Sequence, residues 1–396
     1  PPGGLGPVRA VNGSFRWTET GLSAQDLSAR LGQSPITASL FVGGRRHPDV
    51  RVRLACPRLN LQDAGLRHPR GEGVLTDIDL QAARRNGTWR IQSLTAAMNR
   101  TTVQAQGVLR ETPEPVADLS LVFPSLDGGD VAFLAGLKGA DPSPGQARSR
   151  LWKVVVRVGD GRAEGVAFKN LYAGLRFQNG LLDIADGQAD VFGGRVRGTG
   201  RIDFTAQGRP SYDVRFALER IRAEQVAPPF QGKHGFLAGS LSADGQVKAA
   251  GAGWPDLLRT AQGSLSLRCE SGTIRKFAVL SKVFSILNVS QLFRFELPDM
   301  AAGGMPYDAI TGRLTLSDGV IATKDLFIAS DAMNLSFVGT VDLVRESLDQ
   351  TIGVQPLQTV DRLVRRLPIV GWVLSDQDGR VLTVYFEARG PFDNPV

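Results

Sequence analysis

Along most of this chain apolar and polar residues alternate, in short runs that close on glycine or proline. The clearest run is Gly194-Arg-Val-Arg-Gly-Thr-Gly-Arg-Ile-Asp-Phe204, where Val196, Ile202 and Phe204 share one face and Arg195, Arg197, Arg201 and Asp203 the other. A period of two is the mark of a strand with one buried face. The same phase places Val154, Val156 and Val158 together, then Leu182 with Ile184, and Val214 with Phe216 and Leu218. Further along it selects Leu265 and Leu267, Leu314 and Leu316, and the set Leu335, Phe337, Val341 and Leu343.

The runs also repeat. Leu22 and Leu40, Trp89 and Gly107, and Leu182 and Gly200 each lie 18 residues apart, and Val320 and Gly339 lie 19 apart, in matching phase. A fixed spacing of this kind predicts an array of hairpins. Predicted strands occupy 11–44, with the turn Gly43-Gly44, then 74–109 and 117–123 after the Pro113-Glu-Pro115 turn. A helical turn is expected near Val131–Leu137, followed by the linker Lys138–Gln146, whose composition suits a connection. These signals divide the chain into segments 1–140, 150–270 and 271–396.

Two stretches break the alternation. From Ile274 to Phe293 the apolar residues Phe277, Leu280, Val283, Phe284 and Leu287 recur at three and four, which predicts an amphipathic helix ended by Leu297-Pro298. A second helix is expected over Thr359–Leu367, ahead of the apolar run Ile369-Val-Gly-Trp372-Val-Leu374, and Trp254–Leu258 reads as a short helical element between strands. Somewhat over twenty strands at roughly 4.8 Å spacing would make a sheet about 100 Å wide. Two helices are too few to cover one face of it. The apolar face must be covered by a second sheet, by the sheet curling on itself, or by something that is not protein.

Composition fits an ordered, turn-rich β protein: 396 residues, 42% hydrophobic, with 46 glycines and 22 prolines. The formal charge is +7. The arginines alternate with apolar residues instead of gathering into runs, so they describe a solvated sheet face. Aromatics, at 7%, fall mostly in the apolar phase, which argues against nucleic-acid binding, and four tyrosines with five tryptophans are too few to form the two aromatic girdles of an outer-membrane barrel around so many strands.

Catalytic signals are few. His47, His68 and His234 lie in turns, with no carboxylate or thiol spaced to orient them. Cys56 and Cys269 form no metal or disulfide framework. Asp376-Gln-Asp-Gly379 begins like a calcium loop but lacks its later ligands, and the glycines of 193–200 lead into a strand instead of the helix that phosphate cradling needs. No Gly-x-Ser-x-Gly elbow occurs. No cofactor is expected, and the chain does not read as an enzyme.

The region after Phe277 carries a resemblance. The run Phe277–Phe293, Gly312-Arg-Leu-Thr-Leu-Ser-Asp-Gly319, Val354-Gln-Pro-Leu357, Leu367–Leu374 and the closing Gly390-Pro-Phe-Asp-Asn-Pro-Val396 resemble the C-terminal region of AsmA-like proteins, most closely the YhdP branch. Upstream, Ala189–Gly194 and Gly198–Asp203 resemble the superfamily more loosely.

The resemblance implies a mainly β protein: a long, twisted antiparallel sheet curled into an open hydrophobic groove, with amphipathic helices near its C-terminal end. It implies a bridge-like lipid-transfer protein of the periplasm of a diderm bacterium, held at the inner membrane by an N-terminal helix that this chain does not include. Its partners would be phospholipids, with acyl chains in the groove, and the inner and outer membranes. Val154 to Leu343 of the alternating set would then line the groove, while Phe277, Leu280, Phe284, Leu287, Ile369, Trp372 and Leu374 would cap its end or touch a membrane. The alternative reading is an envelope scaffold or assembly factor whose solenoid core its own side chains fill.

Overall fold

A computed structural model describes residues 5–44, 49–69, 71–111, 115–137, 150–206, 208–226, 237–275, 304–331, 333–356, 374–375 and 382–391. The chain forms two compact units, Pro1–Val191 and Phe192–Val396. The protein is mainly β, and neither unit closes into a barrel among the described residues.

The first unit holds β1 (Val8–Thr18), β2 (Gly21–Leu31), β3 (Ser34–Gly43), β4 (Asp49–Asn60), β5 (Val74–Arg85), β6 (Thr88–Met98), β7 (Thr101–Arg110), β8 (Val116–Asp127), helix α1 (Gly128–Ala135), β9 (Leu151–Ala163), β10 (Val166–Gln178) and β11 (Leu181–Val191). Each strand pairs with the next in sequence. The expected all-antiparallel sheet needs one correction, because β8 and β9 run parallel, in register from Val116–Leu151 to Asp127–Arg162. Parallel neighbours require a crossover. Here the crossover carries α1, one turn longer at its start than the predicted segment.

Tight hairpins explain the repeat. At Asn86-Gly87, Glu164-Gly165, Asn179-Gly180 and Asp318-Gly319 both turn residues have positive φ, the two-residue turn that matches strand twist. The 18-residue spacing measures the hairpins that alternate with these, β2–β3 and β6–β7: Ala24 faces Leu40 and Leu22 faces Val42, while Ile91 faces Gly107 and Trp89 faces Leu109.

Inside the strands sit bulges that alternation does not reveal. Asp26, Asp77, Asn170 and Arg220 take left-handed φ values near 50°, each at a register shift. An extra residue on one strand bends it and increases local twist, the device by which a wide sheet acquires curvature.

The second unit holds β12 (Gly194–Asp203), β13 (Ser211–Arg222), a 3-10 turn (Ala223–Gln225), β14 (Leu237–Ala250), helix α2 (Trp254–Thr260), β15 (Gln262–Ile274), β16 (Met305–Ser317), β17 (Val320–Ala329), β18 (Met333–Asp342), β19 (Ser347–Pro356), β20 (Leu374–Ser375) and β21 (Leu382–Pro391). Its order is again sequential up to β19, which pairs with β21, and β21 also takes β20. The buried core lies at one end of these strands and includes Cys269, Ile274, Met305, Tyr307, Ile310, Leu335, Phe337, Ile352 and Val354. The helices predicted over Ile274–Phe293 and Thr359–Leu367 lie outside the described residues, apart from the start of the first, where Ile274 closes β15.

Candidate functional site: a one-sided apolar sheet face

Because strand partners share a face, register shows how far each apolar face extends. In the first unit one row crosses all eleven strands: Phe15, Ala24, Leu40, Val52, Ala82, Ile91, Gly107, Leu119, Val154, Leu175 and Ile184. Every member is apolar or glycine. Most are half-buried; Ala24 and Ala82 are buried, and Phe15 on the edge strand is 65% exposed. The row adjoining it on the other face reads Arg16, Ser23, Phe41, Arg51, Ala83, Arg90, Val108, Asp118, Lys153, Arg176 and Asp183.

The second unit repeats the arrangement. A row of Gly200, Val214, Val247, Gly263, Leu316, Ile321, Val341, Leu348 and Gly390 crosses nine strands with no polar side chain. The next row runs Gly198, Phe216, Gly245, Leu265, Leu314, Thr323, Gly339, Gln350 and Ala388. Phe216 has glycine on both sides, and its ring lies against Gly245, where a Cβ would stand 3.3 Å from Phe216 Cζ. An aromatic ring laid over a strand glycine covers exposed backbone and keeps the wall smooth.

The sequence-selected residues fall on these faces as follows. Val154 and Val156 are half-buried on the first unit's apolar face beside Leu175 and Ala173, and Val158 is buried beside Leu171. Leu182 and Ile184 are half-buried opposite Phe177 and Leu175. Val196 faces Leu218, Ile202 faces Tyr212, and Val214 and Phe216 face Gly200 and Gly198, all half-buried. Phe204 follows the end of β12 and is 48% exposed. Leu265 and Leu267 pair with Leu314 and Gly312, and Leu316 with Gly263.

Toward the C-terminus the character changes along each strand. On β18, Leu335 and Phe337 are fully packed in the core, whereas Val341 and, past the strand end, Leu343 are half-buried. On β16, Ile310 is buried while Leu314 and Leu316 are half-buried. Leu335 and Phe337 are thus core residues, and the open part of this face lies at the opposite end of the strands. Phe277, Leu280, Phe284, Leu287, Ile369 and Trp372 lie outside the described residues, and Leu374 is described only as a strand residue pairing with Thr383.

Sequence reading selected no face residue before Val154, although Leu22, Leu40, Val42, Val52, Leu80 and Leu94 carry the same alternation. It also passed over the closely packed pair Cys269 and Tyr307. Tyr307 Oη donates to the Ala238 carbonyl at 2.6 Å, and Cys269 Sγ lies 3.0 Å from that hydroxyl. Burial pushes the phenol well above its ordinary pKa range and raises that of the thiol. Among the described residues no group of His, Cys, Asp and Glu is placed to hold a metal ion.

The opposite faces are salt-bridged. Arg197 reaches Glu219 at 3.1 Å, Lys248 reaches Asp213 at 3.1 Å and Arg313 reaches Asp325 at 2.9 Å. Two polar-face aromatics of the first unit, Phe41 and Tyr172, are each covered by a guanidinium, from Arg51 at 5.3 Å and Arg157 at 5.5 Å. Hydrogen bonds from Arg313, backbone and side chain, hold the Asp325 carboxyl below its usual range, and the Arg85 side chain does the same for Asp49.

No helix among the described residues is long and apolar enough to cross a membrane. No curated protein and no solved structure matches the chain. A family model does: residues 206–396 match the one described as YhdP protein. The matched stretch begins before β13 and takes in the nine-strand apolar rows from their second strand onward, together with the buried core. The C-terminal portion of this chain, from residue 206 on, therefore belongs to the AsmA-like YhdP family.

Proposed function

We propose that the apolar faces are beds for acyl chains and that the protein moves phospholipid between the inner and outer membranes without catalysing a reaction. The observation that carries this is the eleven-strand apolar row of the first unit, mostly half-buried, with a row on the opposite face in which seven of eleven residues are charged. A soluble protein seldom leaves a contiguous apolar patch of that extent without an occupant. Removing apolar surface from water stabilises by about 25 cal/mol per Å², or roughly 0.8 kcal/mol per buried methylene. An acyl chain laid along the rows satisfies that demand while its head group stays in water. The YhdP-family match of residues 206–396 supports the same reading. In it the protein works in the periplasm of a diderm bacterium, anchored at the inner membrane by a preceding helix, and maintains the outer-membrane barrier.

The test is to place charge on the bed. Val196→Asp, Phe204→Asp and Phe216→Asp variants that keep the wild-type circular dichroism should lose uptake of fluorescent phospholipid from vesicles, because an unpaired carboxylate in an apolar channel is costly. Undiminished uptake by folded variants contradicts the proposal.

One observation favours the scaffold reading: the packed core of Leu335, Phe337, Ile352 and Val354, where the face is filled by side chains. It covers one end of the second unit's strands and leaves Val341, Leu314 and Leu316 half-buried. A conduit ending in a plug accounts for both.

A further inference from the structure

Helix α1 is apolar on the side it turns to water. Its inner stripe follows helical spacing: Asp130 is buried, and Phe133 and, just past the helix, Leu137 are half-buried. Asp130 accepts from Thr101 at 2.8 Å and from Asn99 at 2.7 Å, and the Asp127 side chain caps the helix by accepting from the Gly129 amide at 2.8 Å. The Phe133 ring stacks on His68 at 4.1 Å and, with Leu61, fills the space above Gly73. The outer residues are Val131, Ala132, Leu134 and Ala135, all of them exposed. A helix docked on a soluble domain normally presents polar or charged residues there. The segment that follows, residues 138–149, holds no apolar residue larger than proline, so it has no large apolar side chain with which to cover them.

The charge around α1 is unbalanced. Arg67 precedes His68, Arg100 follows Asn99, and Arg162 pairs in register with Asp127, so each is one residue or one strand from a contact with the helix. All three are exposed, and none forms an ion pair among the described residues. The nearby carboxylates are mostly engaged. Asp127 and Asp130 serve the helix, Asp63 accepts from Ser34 at 2.7 Å, Glu72 accepts from Asn60 at 3.5 Å and Asp160 pairs with Lys169 at 3.3 Å. Glu164, in the turn between β9 and β10, stands alone against the three arginines.

We propose that α1 seats on an anionic bilayer surface, with Val131 and Leu134 entering the head-group layer and Arg67, Arg100 and Arg162 meeting lipid phosphates. An apolar helix face beside unpaired cations is the composition of an interfacial element, and one this short relies on charge for most of its affinity. The inference is separate from the acyl-bed reading, because α1 lies outside the apolar rows of strand residues.

The experiment is flotation of the full chain with two kinds of vesicle, one of phosphatidylethanolamine containing phosphatidylglycerol and one of phosphatidylcholine alone. Wild type should partition at least about tenfold more strongly to the anionic vesicles, since each arginine near such a surface is worth about fivefold. Changing Arg67→Gln, Arg100→Gln and Arg162→Gln together should remove that preference. Val131→Ser with Leu134→Ser should weaken partitioning to anionic vesicles about tenfold. Phe216→Asp, which alters the acyl bed, should float as wild type does. A second readout places an environment-sensitive dye on Leu134→Cys, selectively, because Cys56 and Cys269 are buried. Its emission should shift to the blue on adding anionic vesicles and stay unchanged with phosphatidylcholine. Equal flotation with both vesicles, no flotation with either, or flotation that survives both sets of substitutions overturns the inference. So does a dye already shielded from an aqueous quencher before vesicles are added, since protein then covers the face. Loss of flotation in folded Phe216→Asp assigns the binding to the bed and overturns it too, whereas failure of phospholipid uptake with flotation intact counts against the acyl-bed reading alone.

Discussion

Tyr307 and Gly339 show how single residues hold the second unit together. Tyr307 is 4% exposed, and its hydroxyl joins the Ala238 carbonyl to the Cys269 thiol. Tyr307→Phe leaves both without that partner and should lower stability by about 1–3 kcal/mol in urea unfolding. Gly339→Ala should cost at least about 2 kcal/mol by the same assay, because its Cβ meets backbone that cannot retreat and its φ is one that L residues rarely adopt. The ionisable groups give a pH profile with two limbs. The Cys269 pKa is raised above the ordinary 9.0, so its contribution is intact below the unfolded thiol's pKa and is lost as pH climbs through the folded value. The carboxyls of Asp49, Asp325 and Asp342 are lowered below 3.8, so theirs is present above that value and lost as pH falls through the folded one. Thermal melts should therefore be flat near neutrality and decline above about pH 9 and below about pH 4. A decline on only one limb contradicts the assignment for the other. Residues such as Val196 and Arg197 were legible in the sequence because alternation fixes the face directly. Tyr307 was not, since its role depends on a partner 69 residues away.

At the scale of elements, hairpins were legible and bulges were not. Turn pairs such as Asn179-Gly180 announce themselves by residue type, and the 18-residue spacing is the length of hairpins such as β2–β3. Bulge residues are hidden because one extra residue reverses the phase only locally, so Asn170 reads as one more polar position. Its φ of 50° suits asparagine, and its amide donates to Asp190 at 2.8 Å. Asn170→Val should destabilise by about 1–3 kcal/mol while Asn170→Gly stays within about 1 kcal/mol of wild type, compared by denaturant midpoints. Equal effects would mean that the conformation at 170 is not left-handed in solution. The parallel pair β8 and β9 was likewise invisible, because strand direction follows from the crossover through α1 and not from the alternation on either side.

At the scale of the whole molecule, strands far outnumber the helices available to cover them, a ratio visible in the sequence alone. How far each apolar row extends was not, because it depends on register across many strands. An acyl bed in either unit requires lipid to touch one face and not the other. The most direct measurement places a photo-crosslinking residue at Val196 or Phe216 on the apolar face and at Arg197 on the polar face, in cells, followed by extraction of bound lipid. The account predicts phospholipid adducts at Val196 and Phe216 and none above background at Arg197. Equal labelling of all three positions, or none at any of them in folded protein, contradicts it.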